Sequence, residues 1–180
     1  MLSNIFWKPL AWLISMPKIT NWLIKRSQLT PYIHIDNYMN RWWLFNPYNN
    51  TDYGSKAYKK FAWLPSIRIH HILREDYARD NHNHPWIART IILKGDYDET
   101  RLKNYYRDYI NSGGAFVYEY EKSNRVAGDT ATLTPDDFHN ITRVSDGGVW
   151  TLFITWKYQQ NWGFLVDGKV IPHELYEEKS

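Results

Sequence analysis

The chain has 180 residues, 43% of them hydrophobic and 23% charged, a composition typical of one globular domain with a substantial core. It contains no cysteine, which excludes disulfides and thiolate metal sites, and its net charge of +3 is too small to argue for nucleic acid binding. Aromatic residues make up 17% of the chain, an excess that favours strands over helices.

Residues 1–30 are densely apolar but are interrupted by basic residues and by two prolines that break any long helix. The longest uncharged stretch, residues 9–17, is far shorter than the ~20 residues of a membrane span. A cleavable signal peptide is not expected either, because the n-region lacks positive charge and no small-residue cleavage site follows. The sequence predicts two short helices, near 10–16 and 18–27, in a helical extension ahead of a single domain over 31–180.

The tryptophans of this extension indicate what it packs against. Exposed apolar patches usually mark an interface, so we expect the helices to cover their own domain or the second subunit of a homodimer. That arrangement hides three indoles, those of Trp7, Trp12 and Trp22. The pattern of tryptophan and lysine also suits a membrane surface, and this alternative stays open.

Residues 66–74 alternate in the manner of a strand. One face carries Arg68, His70, Ile72 and Arg74, while the other is mainly apolar. Two cations and an imidazole are costly to bury without an anion nearby. This face is therefore either exposed to solvent or the wall of a pocket for an anionic ligand.

A second strand is predicted from His82 to Leu93, ending in a turn at Lys94-Gly95. His82, His84 and Trp86 share one face of it, and imidazoles two residues apart on a strand lie roughly 6–7 Å apart. That spacing allows both rings to bind one metal ion, and zinc, iron, copper and nickel all accept imidazole nitrogen. His139, which follows a turn at Pro135, is the candidate third ligand.

Lys94-Gly95 also predicts a tight hairpin that returns residues 96–100 along the preceding strand. In that register Glu99 lies roughly opposite Thr90, where its carboxylate is either a further metal ligand or exposed. Residues 101–115 are polar and end in Ser112-Gly113-Gly114, which favours a loop.

The remaining segments predict an all-β domain. Trp150, Leu152, Ile154 and Trp156 share one face of the most strand-like segment, residues 149–157. Other strands are expected within 31–45, at 115–120, between Gly128 and Pro135, at 140–144 and on both sides of an Asp167-Gly168 hairpin. About ten strand-like runs without a long helical pattern after residue 30 indicate an antiparallel β-barrel.

The histidine segments resemble the two motifs of the cupin superfamily. His82, His84 and Gly95 match the first motif, while Gly128, Pro135 and His139 match the second. The glutamate of the first motif is absent, with Ala88 at its position, and the second motif is one residue short between Pro135 and His139. Segments such as 38–43, 69–74, 150–154 and 162–164 resemble a group of small bacterial and phage cupin-domain proteins. The resemblance covers roughly residues 37–176 and implies a single cupin-type jelly roll.

With His82, His84 and His139 as ligands, the resemblance implies a divalent metal site, iron being the best suited and zinc, nickel or manganese the alternatives. An open three-imidazole site suits a metal-dependent oxygenase, with an isomerase or epimerase as the nearby alternative. Loss of the glutamate favours an anionic substrate that chelates the metal. A planar substrate is expected because it could stack on the indoles of Trp86 and Trp156, while its charge would meet the side chains of Arg68, His70 and Arg74. A non-catalytic protein that holds a nucleotide or sugar derivative is the alternative of another class. Either protein is expected to be cytoplasmic.

Overall fold

The computed structural model describes residues 4–49, 58–59, 61–111 and 113–176. The chain begins with two helices, α1 (Asn4–Ile14) and α2 (Pro17–Ser27). A 3-10 turn at His173–Leu175 closes the described part. Between them lie the strands β1 (Met39–Phe45), β2 (Tyr48–Asn49), β3 (Tyr58–Lys59), β4 (Ser66–Ile72), β5 (Trp86–Lys94), β6 (Asp96–Asp108), β7 (Ala115–Val126), β8 (Thr130–Leu133), β9 (His139–Val144), β10 (Val149–Tyr158), β11 (Gly163–Val166) and β12 (Lys169–Pro172).

The strands form two antiparallel sheets. The first has the order β1-β4-β10-β5-β8 and the second the order β7-β6-β9, while β2-β3 and β11-β12 are hairpins. His82 makes single backbone bridges to both His139 and Phe164, so it joins β9 of the second sheet to β11. This arrangement confirms the predicted fold class, an all-β jelly roll with short N-terminal helices.

Strand β10 lies between β4 and β5, and the alternation of its side chains separates the two faces of the first sheet. Phe153 points into the space between the sheets, where its ring stacks on the imidazole of His70 at 5.0 Å. Leu152 and Ile154 point the other way and belong to an apolar cluster beneath the helices. Trp156 continues that outer face, and its ring meets Trp7 edge-on at 6.3 Å.

Both helices pack on this outer face, α1 over β5 and β8 and α2 over β1 and β4. Their inward side chains, Trp7, Ala11 and Leu23, join the apolar cluster of the sheet. Arg89 of β5 fastens α1 at its start: its Nη1 atom donates to Thr130 Oγ1 at 3.1 Å and to Asn4 Oδ1 at 3.4 Å. The Arg89 guanidinium also lies 4.8 Å from the centre of the Trp7 ring.

Two features of the helices bear on the prediction. α1 starts earlier than expected and contains Pro9, which cannot donate to the carbonyl of Ile5, a residue that is 85% exposed. Trp7 is buried at 7% exposure, but Trp12 and Trp22 are 64% and 62% exposed, so the domain itself hides one of the three indoles, and cover of the other two by a second subunit stays a prediction. Within the described ranges, neither helix is long and apolar enough to cross a bilayer.

The predicted β5–β6 hairpin is also wrong. Both neighbours of β5 are already taken, by β10 on one side and β8 on the other. Gly95, with φ +80°, turns the chain out of the first sheet, and a Cβ there would lie 2.7 Å from the carbonyl oxygen of Gly148. β6 therefore pairs with β7 and β9 and extends to Asp108, through much of the segment expected to be a loop.

Candidate metal centre

Three imidazoles converge between the two sheets. One ring nitrogen from each of His82, His84 and His139 lies within 4.8 Å of the other two. The closest pair is Nε2 of His84 and Nε2 of His139, 2.8 Å apart. His139 is buried, while the other two are half-buried, so the cluster is enclosed but reachable.

His82 and His84 belong to the segment that precedes β5, which begins only at Trp86. Backbone bonds attach this segment to the second sheet: the amide of His82 donates to the carbonyl of His139 at 3.0 Å, and the amide of His139 returns the bond at 2.9 Å. The predicted strand over 82–93 is therefore two pieces, and it is this bridge that brings the first two histidines beside the third.

Asn83 holds the same segment from the opposite side. Its Nδ2 atom donates to the carbonyl of Pro135 at 2.8 Å, and its Oδ1 atom accepts from the amide of Gly163 at 2.8 Å. A Cβ on Gly163 would lie 2.1 Å from the carbonyl oxygen of Ile171, so only glycine lets β11 and β12 pair this closely. Asn83 thereby joins the turn before His139 to the start of β11, with its own side chain turned away from the imidazoles.

Glu99 lies behind His139. Its Oε1 atom is 2.9 Å from Nδ1 of His139 and 3.0 Å from Nη2 of Arg101, while Oε2 accepts from Nε of Arg125 at 3.1 Å. Glu99 is 1% exposed, so the expectation that it is exposed is wrong. The group of ligand atoms that could hold an ion consists, among the described residues, of the three histidines, and Glu99 lies behind one of them. Because the carboxylate binds Nδ1, it leaves Nε2 of His139 directed at the other two imidazoles.

Burial and charge set the protonation of the cluster. Burial lowers the pKa of His82 to about 4, with the neighbouring His139 adding to the shift, and burial also lowers the pKa of His84 well below its usual value. Burial alone would raise the pKa of Glu99, but the hydrogen bond from His139 and the charge of Arg101 outweigh it and lower this pKa to about 2. The environment therefore favours neutral imidazoles at His82 and His84 and an ionised carboxylate at Glu99.

This donor set fits a divalent metal. Neutral imidazole nitrogens are ligands for zinc, iron, copper and nickel, and bonds of about 2.1 Å place neighbouring ligand atoms roughly 3 Å apart. The 2.8 Å separation of the His84 and His139 nitrogens is close to that spacing. Among the described residues, the group that could hold an ion consists of these three histidines, so a metal bound there would keep open coordination positions.

Next to His84, between the two sheets, lies a largely buried group of side chains that we call the interior wall: Arg68, Trp86 and Phe153. The Arg68 guanidinium sits 5.1 Å from the centre of the Trp86 ring and 5.4 Å from that of Phe153. Trp86 in turn stacks on His84, with centroids 6.2 Å apart. Arg68 and His70 are 3% and 7% exposed, so this face of β4 is interior rather than solvent-exposed.

Two other predicted binding residues lie elsewhere. Arg74 follows the end of β4 and lines a surface cavity of about 230 Å³ that reaches His82 and also includes Asp76, Trp162 and Phe164. Trp156 faces the helices on the outer side of the first sheet, since it has the parity of Leu152 and Ile154 rather than that of Phe153. Trp156 therefore does not line the candidate site. His173 stacks on Trp162, with ring centroids 4.2 Å apart.

Several residues that build the site were not predicted, namely Asn83, Arg101, Arg125 and Phe153. Asn83 stands between the two motif histidines, but its polarity does not predict which backbone groups its side chain will hydrogen-bond. Arg101 fell in a segment interpreted as a loop, and Arg125 lay in a stretch without an assignment. The burial of Glu99 follows from strand pairing that the sequence pattern around Gly95 does not reveal.

No protein family model matches the chain, and no curated protein matches it. Among solved structures, a crystal structure of HppE in its Fe(II) form aligns with a TM-score of 0.46 and 12% identity, over 72% of this chain and 57% of that one. KdgF from Halomonas sp. aligns with a TM-score of 0.44 and 8% identity, over 72% and 91%. An oxalate oxidase aligns with a TM-score of 0.46 and 11% identity, over 78% and 61%.

The chain thus spans about three fifths of the HppE and oxalate oxidase chains. Identities of 8–12% are too low to carry a substrate or reaction from these proteins to this one. The two-sheet topology and the convergence of the motif histidines stand on this chain's own coordinates. They confirm the all-β jelly roll that the sequence predicted and show its three motif histidines close together.

Proposed function

We propose that this protein is a metal-dependent oxygenase that acts on a small, anionic, planar substrate. His82, His84 and His139 would hold the metal, for which iron is the first candidate and zinc, nickel or manganese are alternatives. The observation that carries the proposal is the convergence of their ring nitrogens within 4.8 Å beside a buried arginine. An iron ion held by three imidazoles would supply the open positions at which dioxygen and a chelating substrate can meet.

The residues around the histidines support a role in positioning. Glu99 fixes the tautomer and ring direction of His139 and is itself held by two arginines, a hydrogen-bond arrangement that typically raises metal affinity. Asn83 and the His82–His139 backbone bridge keep the other two rings in place. These contacts order the ligands before a metal arrives, so less conformational entropy is lost on binding.

Substrate charge and shape would be recognised by the interior wall. The Arg68 guanidinium between Trp86 and Phe153 suits a carboxylate attached to a flat ring, since the cation can bind the carboxylate while the ring stacks on indole. His70 lies beside this wall, and its buried Nε2 atom has no hydrogen-bond partner among the residues that the structure describes. Arg74, at the cavity that reaches His82, would attract an anion at the entrance.

The metal assignment is tested by elemental analysis of protein purified without a histidine tag. About one metal ion per chain is expected for the wild type, and the separate variants His82→Ala, His84→Ala and His139→Ala should each lose most of it. His34→Ala and His173→Ala, which remove imidazoles outside the cluster, should retain the full amount. Urea unfolding of each variant shows whether a loss of metal reflects the site or the fold. A folded wild type that binds no divalent metal contradicts the proposal.

The reaction is tested by oxygen consumption of iron-loaded protein with a panel of aromatic acids, nucleotides and neutral sugars, each first ranked by thermal shift. Oxygen uptake that depends on an acid and disappears in His139→Ala supports the oxygenase. If an acid binds but no oxygen is consumed, the protein is a binding protein. If the acid is isomerised instead, the protein is an isomerase. Either result contradicts the oxygenase. Stabilisation by neutral sugars alone contradicts the anionic substrate.

A further inference from the structure

Helix α1 is apolar on both sides. Its inner side, formed by Trp7, Ala11 and their neighbours, packs on the first sheet. Its outer side is exposed and carries a second apolar set: Ile5, Phe6, Pro9, Trp12 and Leu13. A helix that is hydrophobic on all sides is normally buried on all sides. Among the residues that the structure describes, none covers the outer side of α1.

Helix α2 presents a basic outer face. Lys18, Trp22, Lys25 and Arg26 follow the i, i+4, i+7, i+8 spacing of one helix face, and all four are exposed. Thr20, Leu23 and Ser27 occupy the opposite side and are buried. One large indole thus stands among three cations.

The two outer faces point in the same direction. α1 lies over β5 and β8 and α2 over β1 and β4, on one face of one sheet, so both turn their exposed sides away from the domain interior. Together the exposed residues of α1 and α2 form what we call the helix surface: Ile5, Phe6, Lys8, Pro9, Trp12, Leu13, Lys18, Trp22, Lys25 and Arg26. The imidazole cluster lies on the other side of that sheet.

The charge of this surface is of one sign. The first acidic residue of the chain is Asp36, so residues 1–35 carry four cationic side chains and no anionic one. The whole chain has a net charge of +3, which leaves −1 for the other residues. An acidic residue close to α1 is Asp129, whose neighbour Gly128 lies near Ser15, just after the helix. The carboxylate of Asp129 accepts a hydrogen bond from the amide of Val126.

We propose that the helix surface docks the protein on an anionic lipid membrane. The apolar side of α1 and the Trp22 indole would enter the boundary between headgroups and acyl chains, where tryptophan is favoured, while Lys8, Lys18, Lys25 and Arg26 would contact lipid phosphates. A second copy of this chain fits the same surface poorly. A two-fold symmetric dimer through it brings four cations against four, which opposes association.

The test is flotation of the full-length protein with vesicles of phosphatidylcholine alone or mixed with phosphatidylglycerol. Binding to the mixed vesicles is expected, and it should weaken with added salt because exposed charges are screened. Replacing Lys18, Lys25 and Arg26 together by Gln should lower partitioning about a hundredfold, since each cation near an anionic surface contributes roughly a factor of five. The double variant Trp12→Ser, Trp22→Ser should lower it at least about tenfold.

Two control variants match these changes elsewhere on the chain. A triple replacement of the exposed Lys103, Lys122 and Lys169 by Gln alters net charge equally, and Trp63→Ser removes an indole that is 82% exposed outside the helices. Both should float like the wild type. Equal losses in the matched triples, or no flotation with the anionic vesicles, overturn the proposal. A dimer in light scattering that the Trp12→Ser, Trp22→Ser variant abolishes, without vesicle binding by the wild type, assigns the helix surface to a second copy instead.

Discussion

Glu99 of β6 accepts a hydrogen bond from Nδ1 of His139 at 2.9 Å, and this contact decides which nitrogen of the imidazole faces His84. The cupin motif that the sequence resembles has a glutamate four or five residues after the second histidine, whereas here Ala88 occupies that position against Leu133 and Phe153. The carboxylate of this site instead comes from the other sheet and acts through an imidazole.

Glu99→Gln should weaken metal binding by about 10- to 100-fold, because the amide no longer holds His139 with an ionic partner. The measurement is competition for Co²⁺ against a chelator of known affinity, with the visible Co²⁺ spectrum as a second readout of ligand geometry. Glu121→Gln, which removes a solvent-exposed partner of Lys103, is the matched control. An unchanged spectrum and affinity in Glu99→Gln would show that His139 needs no such support.

Arg68→Met should remove the preference of the interior wall for anions. Benzoate and benzamide are matched planar probes that differ in charge, and the variant should bind benzoate at least about tenfold more weakly while binding benzamide as before. Isothermal titration with both probes makes the comparison. Arg79→Met, which changes an exposed guanidinium beside Asp80, should leave both affinities alone. Equal weakening for both probes would instead mean that Arg68 supports packing.

The metal-free protein should lose stability as the pH falls from about 6.5 to about 4. Burial lowers the pKa of His82 from 6.5 to about 4 and those of His70 and His84 well below 6.5, so the unfolded chain takes up protons that the folded chain refuses. Each such proton steepens the fall by up to about 1.4 kcal/mol per pH unit. The lowered pKa of Glu99 acts in the same direction, at lower pH, below its usual value of 4.5.

Urea unfolding with a chelator present, repeated across that pH range, measures this slope. His70→Gln, which removes one buried imidazole away from the metal cluster, should reduce it by about one proton, and His70→Phe should do the same if it folds. A stability that is flat between these pH values would contradict the neutral state assigned to the buried imidazoles.

Trp7→Ala should destabilise the protein by about 3 kcal/mol, because its indole fills the space between α1 and the first sheet. Trp12→Ala is the matched control on the same helix, and its 64% exposed side chain should change the free energy of unfolding by no more than about 0.5 kcal/mol. Urea denaturation measures the free energy of unfolding of both variants and of the wild type. Similar losses in both would place Trp12 in a packed environment and weaken the case for a free helix surface.

Local patterns were sufficient to predict strands where alternation is strong. β4, β8, β9, β10 and the Asp167-Gly168 hairpin lie where the sequence places them, and the three motif histidines meet as their spacing implies. Which strands pair is a different matter, because pairing depends on partners far along the chain. Gly95 has the composition of a hairpin turn, yet β8 and β10 already occupy both edges of β5.

The misplacement of Trp156 has a related cause. Alternation correctly grouped it with Trp150, Leu152 and Ile154, but both faces of a sheet that is covered on its two sides are apolar. Composition therefore could not say which face looks toward the histidines. The buried cations of β4 are the better indicator, since Arg68 and His70 occupy an interior that holds their aromatic partners.

The position of β10 in the first sheet bears on how the chain is made. β4 and β5 are separated by this strand, which consists of residues 149–158 and is synthesised long after both. Until it leaves the ribosome, β4 and β5 each lack a partner strand along one edge, where backbone N–H and C=O groups stay unpaired, and His82 and His84 have no completed barrel around them. At a synthesis rate of roughly 5–20 residues per second, that exposure lasts for seconds, so a chain truncated before residue 149 should aggregate or remain bound to chaperones.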